Sequence, residues 1–467
     1  MAAPLTSEES ELFDRLGVEL DSLQHKFDTA DAYYDGAQRL EQLGLAIPPE
    51  LQRFTVIVGW PGMAADAVVD RLDVKGFRLP SAEVGDAELW RIWIASQMND
   101  QDQMSVLDYQ IYGRTYRCVG ANEGDPANPI ITVESPRHVI TDRDPRTGKV
   151  RAALRRYDVR EGSAHAATLY LPDETIWLER EEQVGPWFVA DRDPHGMGAV
   201  PVVPSFRRRR TTIPSHRQMQ GTSLMERIIP VTDAAARNIT NAQIAQETHA
   251  VPQRGVIGAS KGDFVGQDGK PLTVWESYFG AVWALGNKDA KTFQFDSSDM
   301  GNFERMTDLY ARLASGLSGL PPNYFGLAAD DAASADAIRS REARLVKAAE
   351  RDQVTLGNAD REVLRLAMRI RDGSWDPDLA GMETLWHDAG TPTVASRADA
   401  VVKLHTATDG AGRSLLPAEM AYEELGWGPG KIQRALRLRR DDQMDPYLAA
   451  MREKEQEREP AGASEVG

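Results

Sequence analysis

Apolar residues recur at intervals of three or four positions in two stretches near the start of the chain, which predicts amphipathic helices. The first stretch runs from Ser7 to about Glu41 and predicts a helix followed by a polar turn. Its apolar positions are Leu12, Leu16, Leu20, Leu23 and Phe27. The second stretch, Asp86 to Tyr112, predicts one or two helices that end at Gly113. Its apolar positions are Leu89, Ile92, Trp93, Met104, Leu107 and Ile111.

The pattern changes after Gly113, where short runs of strand-forming residues alternate with Gly, Pro and Asp clusters. The runs are 116–119, 130–133, 150–159, 168–171 and 175–178. Runs of this length and spacing are typical of a small antiparallel sheet. Residues 171–174, Leu-Pro-Asp-Glu, predict a hairpin turn between the last two runs.

Helical periodicity returns in the second half of the chain, around a segment without it. We predict a helix over 219–250, interrupted near Pro230 and restarted with Thr232 or Asp233 as its cap. Residues 251–298 predict a compact β-containing insert, and 302–315 predict another helix. Residues 332–371 contain no proline and are predicted to form one long helix. A helix of this length is about 60 Å long. Shorter helices are predicted at 396–405, 417–425 and 431–442.

Composition narrows the classes of protein to consider. The 467 residues are more than one domain usually holds, so two or more packed units are expected. The formal net charge of −17 argues against tight DNA binding, although it suits both plain solubility and a surface past which DNA slides. We expect the single cysteine, Cys118, to pack in a strand as a small apolar residue, and a chain with one cysteine suits a reducing compartment. No membrane span and no secretion signal are predicted.

Three catalytic classes find no support in the motifs. Residues 266–271 contain Gly and Lys but are too short for a phosphate-binding loop, and proline stands at the Ser/Thr position. Asp142, Asp144, Asp191 and Asp193 form two Asp-Arg-Asp-Pro patterns, which favour turns over a metal nuclease. No HExxH pattern occurs among the eight histidines. We therefore predict no enzyme activity, no metal and no cofactor.

Two groups of basic residues are open to more than one interpretation. The run 207–210 is four arginines, which suits contact with phosphates, a solvated loop or pairing with an acidic neighbouring subunit, and the last two are favoured. On the long helix Arg341, Arg344, Lys347 and Arg351 share one face, and Arg361, Arg365 and Arg369 share another. The simplest interpretation is a solvent-exposed helix face, here called a wet face, whose cations pair with Glu342, Glu350, Asp352 and Glu362.

The order of several short motifs resembles one protein family. The early motifs are 33–36 (Tyr-Tyr-Asp-Gly), 39–40, 60–61, 68–72 and 76–78. The later ones are 201–204, 221–224 (Gly-Thr-Ser-Leu), 233–237, 247–252, 315–321 and 334–338. In order and spacing the chain resembles the portal proteins of long-tailed phages, in the branch that contains many actinobacterial phages. The resemblance covers about residues 7 to 440.

This resemblance implies a mainly helical α+β fold, called the portal fold, in a ring-forming oligomer of about twelve copies. The implied parts are a wing (1–205), a first stem helix (206–250), a clip (251–298), a second stem helix (299–320), a tunnel loop (321–333), a long helix that returns to the wing (334–389), a crown (390–445) and a disordered tail (446–467). The ring encloses a channel for double-stranded DNA, and the protein is not an enzyme.

The resemblance also implies site residues and partners. The tunnel-loop candidates are Asn323, Tyr324, Asp330 and Asp331. The candidates for a basic channel surface are Arg339, Arg341, Arg344 and Lys347, and those for docking the packaging motor on the clip are Trp275, Tyr278 and Trp283. The implied partners are the terminase large subunit, the major capsid and scaffold proteins and a head–tail adaptor. The implied location is a capsid vertex of the virion, reached by assembly in the host cytoplasm. The alternatives are an adaptor without a channel and, less favoured, a DNA-processing enzyme.

Overall fold

The structure, a computed structural model, describes residues 3–38, 56–80, 82, 85–160, 163–182, 185–209, 221–249, 254–258, 291–294, 300–327, 335–390, 394–428 and 430–439. The chain falls into two compact units. The first comprises residues 1–27, 66–223 and 339–467, and the second comprises 28–65 and 224–338. Residues 28–65 thus belong to the second unit.

The described helices and strands follow in chain order. The helices are α1 Ser7–Tyr34, α2 Trp60–Val69, α3 Ala87–Ala95, α4 Met98–Tyr112, α5 Ile229–His249, α6 Gly301–Ser318, α7 Ala335–Asp372, α8 Val394–Thr406 and α9 Ala418–Glu424. Residues 430–439 are also helical. The strands are β1 Val74–Arg78, β2 Arg114–Gly120, β3 Ile130–Glu134, β4 Val139–Arg143, β5 Val150–Arg160, β6 Ser163–Tyr170, β7 Thr175–Glu179, β8 Phe188–Asp193, β9 Val202–Phe206, β10 Arg254–Ile257, β11 Lys291–Gln294 and β12 Glu383–Trp386.

In the first unit, helix α1 packs on a five-stranded antiparallel sheet. The sheet has the order β4-β5-β6-β7-β8, and β6 and β7 are joined by the hairpin predicted at 171–174. Thr6 and Glu9 begin α1 with reciprocal bonds, from the Thr6 N–H to the Glu9 carboxylate at 2.8 Å and from the Glu9 N–H to Thr6 Oγ1 at 3.3 Å. The predicted apolar face is confirmed, because Leu16, Leu20 and Phe27 are buried against this sheet.

A second sheet of the first unit, β3-β2-β9, lies between two apolar clusters. One face packs against β4 and β5, through residues that include Tyr116 and Cys118. The other face packs against α3 and the long helix α7, through residues that include Val119 and Val203. Strand β2 is therefore buried on both sides. Cys118 is a buried residue of a strand, as predicted, and its burial raises the pKa of the thiol.

Helix α7 carries two carboxylates on the same buried side as its leucines. Asp352 and Asp360 are buried, as are Leu345, Leu356 and Val363 at helical spacing from them. Arg117 of β2 donates to Asp360 at 2.8 Å and to Asp102 of α4 at 2.5 Å. Helix α7 thus meets α4 and β2, about 240 residues earlier in the chain, at one guanidinium, and its two carboxylate partners leave one excess negative charge in the core when both are ionised.

Two glycines allow a close approach of chain segments in the first unit. Gly113 ends α4 with φ 75°, and Gly221 has φ 71°. A Cβ on Gly221 would lie 1.9 Å from the carbonyl oxygen of Gly113, so no other residue fits there without a shift of the backbone. The Arg207 N–H donates to that same carbonyl at 2.9 Å, which continues the β2–β9 ladder.

The second unit is a pair of helices with a two-stranded sheet between them in sequence. Helices α5 and α6 pack through small buried residues that include Ala235, Ala236, Ala311 and Ala314. Strands β10 and β11 pair antiparallel, with Arg254 opposite Gln294. The predicted order of helix, β-containing insert and helix is confirmed for the described residues. The other predicted strands of the insert lie outside them.

Three details of the predicted helices are wrong. Pro230 does not interrupt a helix but lies in the first turn of α5, where the missing N–H has no helical acceptor to lose. Thr232 and Asp233 are inside α5 rather than at its cap, because the Thr232 N–H already bonds to the Ile228 carbonyl at 2.9 Å. Met104 was expected on the apolar face of α4, but it is 54% exposed.

The C-terminal helices belong to the first unit. Helices α8 and α9 and the helix at 430–439 match the three predicted pieces, and Val401, Leu416 and Ala421 form their small core. The predicted tail, 446–467, lies outside the described residues. Across the described helices, none is both long and apolar enough for a membrane span.

Replacing Asp360 with asparagine tests the excess buried charge. Burial raises the pKa of Asp360 to about 7, well above its ordinary value of 3.8. A carboxyl with a raised pKa in the folded state contributes stability that is present below pH 4 and lost as the pH rises to about 7. We therefore expect the unfolding free energy of wild type to fall relative to that of Asp360→Asn as the pH rises through this window. Urea unfolding at pH 5 and pH 8 measures the difference, and equal pH dependence in both proteins would contradict it.

Candidate nucleic-acid interface

The paired helices of the second unit are held together by polar contacts as well as by small residues. Asn238 of α5 donates from Nδ2 to the Phe303 carbonyl at 2.8 Å and to Thr307 Oγ1 at 3.0 Å, both on α6. Tyr33 at the end of α1 donates from its hydroxyl to the Asp233 carboxylate at 2.8 Å. These contacts fix the register of α5 against α6.

The outer face of α6 carries large apolar side chains. Met306, Leu309, Leu313 and Leu317 are between 39% and 47% exposed and follow spacings of three and four residues. The opposite face, where α6 meets α5, contains buried alanines and the partly buried Tyr310. The helix therefore presents an apolar stripe outward from its own pair.

The chain leaves α6 through a firmly packed turn. Gly319 caps the helix with φ 85°, and the Ser315 hydroxyl donates to the Leu320 carbonyl at 2.7 Å. Residues Pro322–Phe325 form one turn of 3₁₀ helix. The Phe325 ring is buried edge-on against Trp60, with 5.6 Å between ring centroids. Of the tunnel-loop candidates, Asn323 is exposed and Tyr324 is half-buried beside this anchor.

Not every sequence candidate lies in the part of the chain that the structure describes. Asp330 and Asp331 of the tunnel loop lie outside it, as do Trp275, Tyr278 and Trp283 of the clip. Arg339 is within α7, but its side chain is not among those described. These assignments stay predictions.

The other basic candidates are exposed on the N-terminal third of α7. Arg341, Arg344 and Lys347 project away from the buried side marked by Leu345 and Ala349. Lys347 pairs with Glu350 at 2.7 Å. The interpretation of a wet, paired face is thus confirmed at Lys347 and, farther along, at Arg365, which pairs with Glu362 at 2.9 Å.

Two of the four proposed acidic partners do something else. Glu342 pairs with Arg71, a residue outside α7, at 3.2 Å. The prediction that Asp352 pairs with a cation on the surface is wrong, because Asp352 is only 6% exposed. It accepts from Gln110 Nε2 at 2.9 Å and from the Tyr109 hydroxyl at 3.3 Å. The signal available in the sequence was its position, seven residues after Leu345 and four before Leu356, on the apolar side of the helix.

The arginine run at 207–210 is divided between core and surface. Arg207 is 1% exposed, whereas Arg208 and Arg209 are exposed and Arg210 lies outside the described residues. The expectation of a solvated loop is therefore wrong for Arg207. Its main chain extends the β2–β9 ladder and carries the side chain inward, toward Asp352 at 3.6 Å.

The two Asp-Arg-Asp-Pro patterns are turns only in part. Asp144 accepts from the N–H groups of Arg146 and Thr147, at 2.9 and 2.7 Å, and so closes a turn as expected. Asp142 lies in β4 and pairs with Arg15 at 3.0 Å, and Asp191 and Asp193 lie in β8. The turn interpretation is wrong for these three, because they lie within strands. Strand β4 ends at Arg143, just before Asp144, and strand β8 continues through Asp193. Among the described residues, no three His, Cys, Asp or Glu side chains are close enough to hold a metal.

Comparison with known proteins identifies the family. The family model described as "Phage portal protein, SPP1 Gp6-like" matches residues 21–421. The chain belongs to this phage portal family. It is 36% identical over 407 residues to the portal protein of Mycobacterium phage D29, which covers 85% of this chain and 81% of that protein. It is also 36% identical over 428 residues to the portal protein of Mycobacterium phage L5, covering 89% of this chain and 85% of that one.

Solved structures similar to this portal-family chain come from gene transfer agent particles. One is a chain in the virion of a native particle, with a TM-score of 0.45 and 14% identity over 86% of this chain and 99% of that chain. Another is a chain in the neck of an empty particle, with a TM-score of 0.43 and 14% identity over 83% of this chain and 95% of that chain.

Replacing Asn238 with alanine tests the polar contact between α5 and α6. Two hydrogen bonds are lost, each contributing about 0.5–1.5 kcal/mol, so amide protection of α6 against hydrogen exchange falls. Asn241→Ala is the matched control, because Asn241 is exposed on the same helix and the change in helix propensity is the same. Equal exchange rates in the two variants would show that the Asn238 contact does not hold the pair together.

Proposed function

We propose that the chain is the subunit of a ring at one capsid vertex, through which double-stranded DNA is packaged and later ejected. The observation that carries this proposal is membership of the portal family across residues 21–421. It is supported by the two mycobacteriophage relatives, both of which are named "Portal protein". About twelve copies would form the ring by heterologous contacts, in which one surface of a subunit meets a different surface of the next.

Within this proposal the parts of the chain take the roles that the resemblance implied. Residues 206–250 and 299–320 supply the stem, 251–298 the clip, 321–333 the tunnel loop and 390–445 the crown. The clip, with Trp275, Tyr278 and Trp283, docks the terminase large subunit and afterwards the head–tail adaptor. The wing and crown meet the major capsid and scaffold proteins during assembly in the host cytoplasm. The protein performs no catalysis of its own.

The apolar stripe on α6 supports an assembled rather than a solitary subunit. The stripe lies on the face of α6 away from α5, so packing within the pair of helices does not bury it. Because each of them is already more than half buried, covering the rest would contribute about 0.6–1.4 kcal/mol per side chain, a little under half of the value for a fully exposed one. Contact with a neighbouring subunit in the ring would supply that burial.

Negative-stain electron microscopy and the mass in solution of the purified chain test the ring. About twelve subunits of 51.6 kDa give roughly 620 kDa, and the expected image is a ring with a central hole. The purified chain should hydrolyse no ATP and cleave no DNA when it is incubated with either. Because some rings assemble only on scaffold, the measurement is repeated after coexpression with the phage's scaffold protein. A monomer or dimer under both conditions would favour an adaptor without a channel.

Changing Asn323 and Tyr324 together to alanine tests the tunnel loop. The ring should keep its mass, because Phe325, which anchors the turn on Trp60, is retained. The amount of DNA packaged per particle should fall, because the altered side chains are those assigned to face DNA. Arg312→Ala, an exposed change on α6, is the control. If the double variant lost the ring instead, the turn would belong to a contact between subunits.

A further inference from the structure

Four arginines surround a cavity in the first unit that the proposed channel does not involve. The cavity has a volume of about 210 Å³ and lies between the end of β9 and helix α7. Arg207, Arg208 and Arg209 line it from the strand side, and Arg351 lines it from the helix. Asp352 is the only carboxylate among its described lining residues.

The floor of the cavity is rigid and contains an arginine nitrogen without an acceptor. Arg207 is 1% exposed, and its main chain is fixed on both sides, since its N–H donates to Gly113 and its carbonyl accepts from Thr222, each at 2.9 Å. Its Nη1 donates to the Thr222 carbonyl at 3.3 Å. Its Nε has no hydrogen-bond acceptor among the described residues, because the nearest Asp352 oxygen is 3.6 Å away. A buried donor of this kind is costly unless a ligand or water bonds to it.

The rim of the cavity concentrates positive charge in an acidic protein. Arg207, Arg209 and Arg351 carry three guanidinium groups against the one carboxylate of Asp352, an excess of two positive charges in a chain whose net charge is −17. Asp352 is already bonded to Gln110 and Tyr109, so it is a poor counter-ion for Arg209 and Arg351. Arg143 adjoins the same region, and burial, together with repulsion from Arg209, lowers its pKa to about 10.

The backbone holds the rim arginines where they are despite this repulsion. Arg208 has φ 49°, in the left-handed region that a non-glycine residue seldom adopts. This turn separates the buried Arg207 from Arg209 at the rim, so that successive side chains line one cavity. Such strained positions are concentrated at sites that bind ligands.

We propose that this arginine cavity binds a phosphate group. Guanidinium groups bond phosphate oxygens in pairs, and several of them around one anion form the usual arrangement for phosphate recognition. Inorganic phosphate carries about −1.5 to −2 charges near neutral pH and a phosphodiester of the DNA backbone carries −1, and both suit an excess of two positive charges. The site depends on the geometry of one subunit, and it would stand even if the proposed ring were wrong.

The phosphate could come from two sources that share this chemistry: a free phosphate ion, or the backbone of DNA. Titration calorimetry of the full chain with inorganic phosphate, at constant ionic strength, tests the first. Fluorescence anisotropy of a labelled duplex of about twenty base pairs, with and without competing phosphate, tests the second. We expect saturable binding of phosphate by wild type in the calorimeter.

The double variant Arg209→Ala, Arg351→Ala should weaken phosphate binding by at least about tenfold, because two rim cations are removed. Both side chains are exposed, so the fold should survive, which the melting temperature checks. The matched control, Arg434→Ala with Arg437→Ala, removes two exposed cations from the helix at 430–439 and should bind like wild type.

Each other outcome decides the matter. If phosphate displaces the duplex from wild type and from the Arg434/Arg437 control but not from the Arg209/Arg351 variant, the site is supported with DNA as the source of the phosphate. Phosphate binding without duplex binding would support the site with a free ion as the source. No saturable binding by wild type, or equal binding by all three proteins, would overturn the proposal. So would loss of the ring in the Arg209/Arg351 variant without any phosphate effect in wild type, since the arginines would then pair with a neighbouring subunit.

Discussion

The position of helix α7 in the first unit depends on one buried guanidinium. Arg117 lies in the middle of β2, completely enclosed, and bonds to Asp102 of α4 and to Asp360 of α7. Removing three charged groups from water costs several kcal/mol for each ion, and their mutual attraction offsets that cost only when all partners are present. An α7 shifted by even one residue would leave a charge unpaired in the core. The leucines of α7 fill space, and the carboxylates fix its register.

The second buried carboxylate of α7 extends the same constraint toward its N-terminal part. Asp352 lies eight residues before Asp360, about two helical turns, and so on the same side of the helix. It bonds to Gln110 and Tyr109 of α4 and lies near Arg207 beyond β9. With its register fixed at two levels, α7 holds Arg341, Arg344 and Lys347 on the exposed side. The basic surface assigned to the channel thus depends on acids that are themselves buried.

Periodicity alone predicted most helices and the strands β2, β3, β5, β6 and β7, but it did not predict β1, β4, β9 or β12. It missed β8, which has the sequence Phe-Val-Ala-Asp-Arg-Asp and is exposed along most of its length at the sheet edge, so no apolar face marks it. It also placed Asp352 on the surface, because the partners that make its burial tolerable come from α4, about 240 residues earlier. The packing of the tunnel segment, 321–333, was not predicted either. Phe325 is buried only because Trp60 lies against it.

The net charge and the arginine cavity meet different physical requirements. A channel for DNA must not hold phosphates tightly, and exposed cations that are paired with neighbouring acids, such as Lys347 with Glu350, have little free charge to offer. The cavity differs because one of its arginines is withdrawn from water, where attraction to an anion is screened less by salt. Binding there should therefore persist at ionic strengths that abolish contacts with surface cations. An acidic chain with one such cavity gains a local anion site without making the rest of its surface adhesive to DNA.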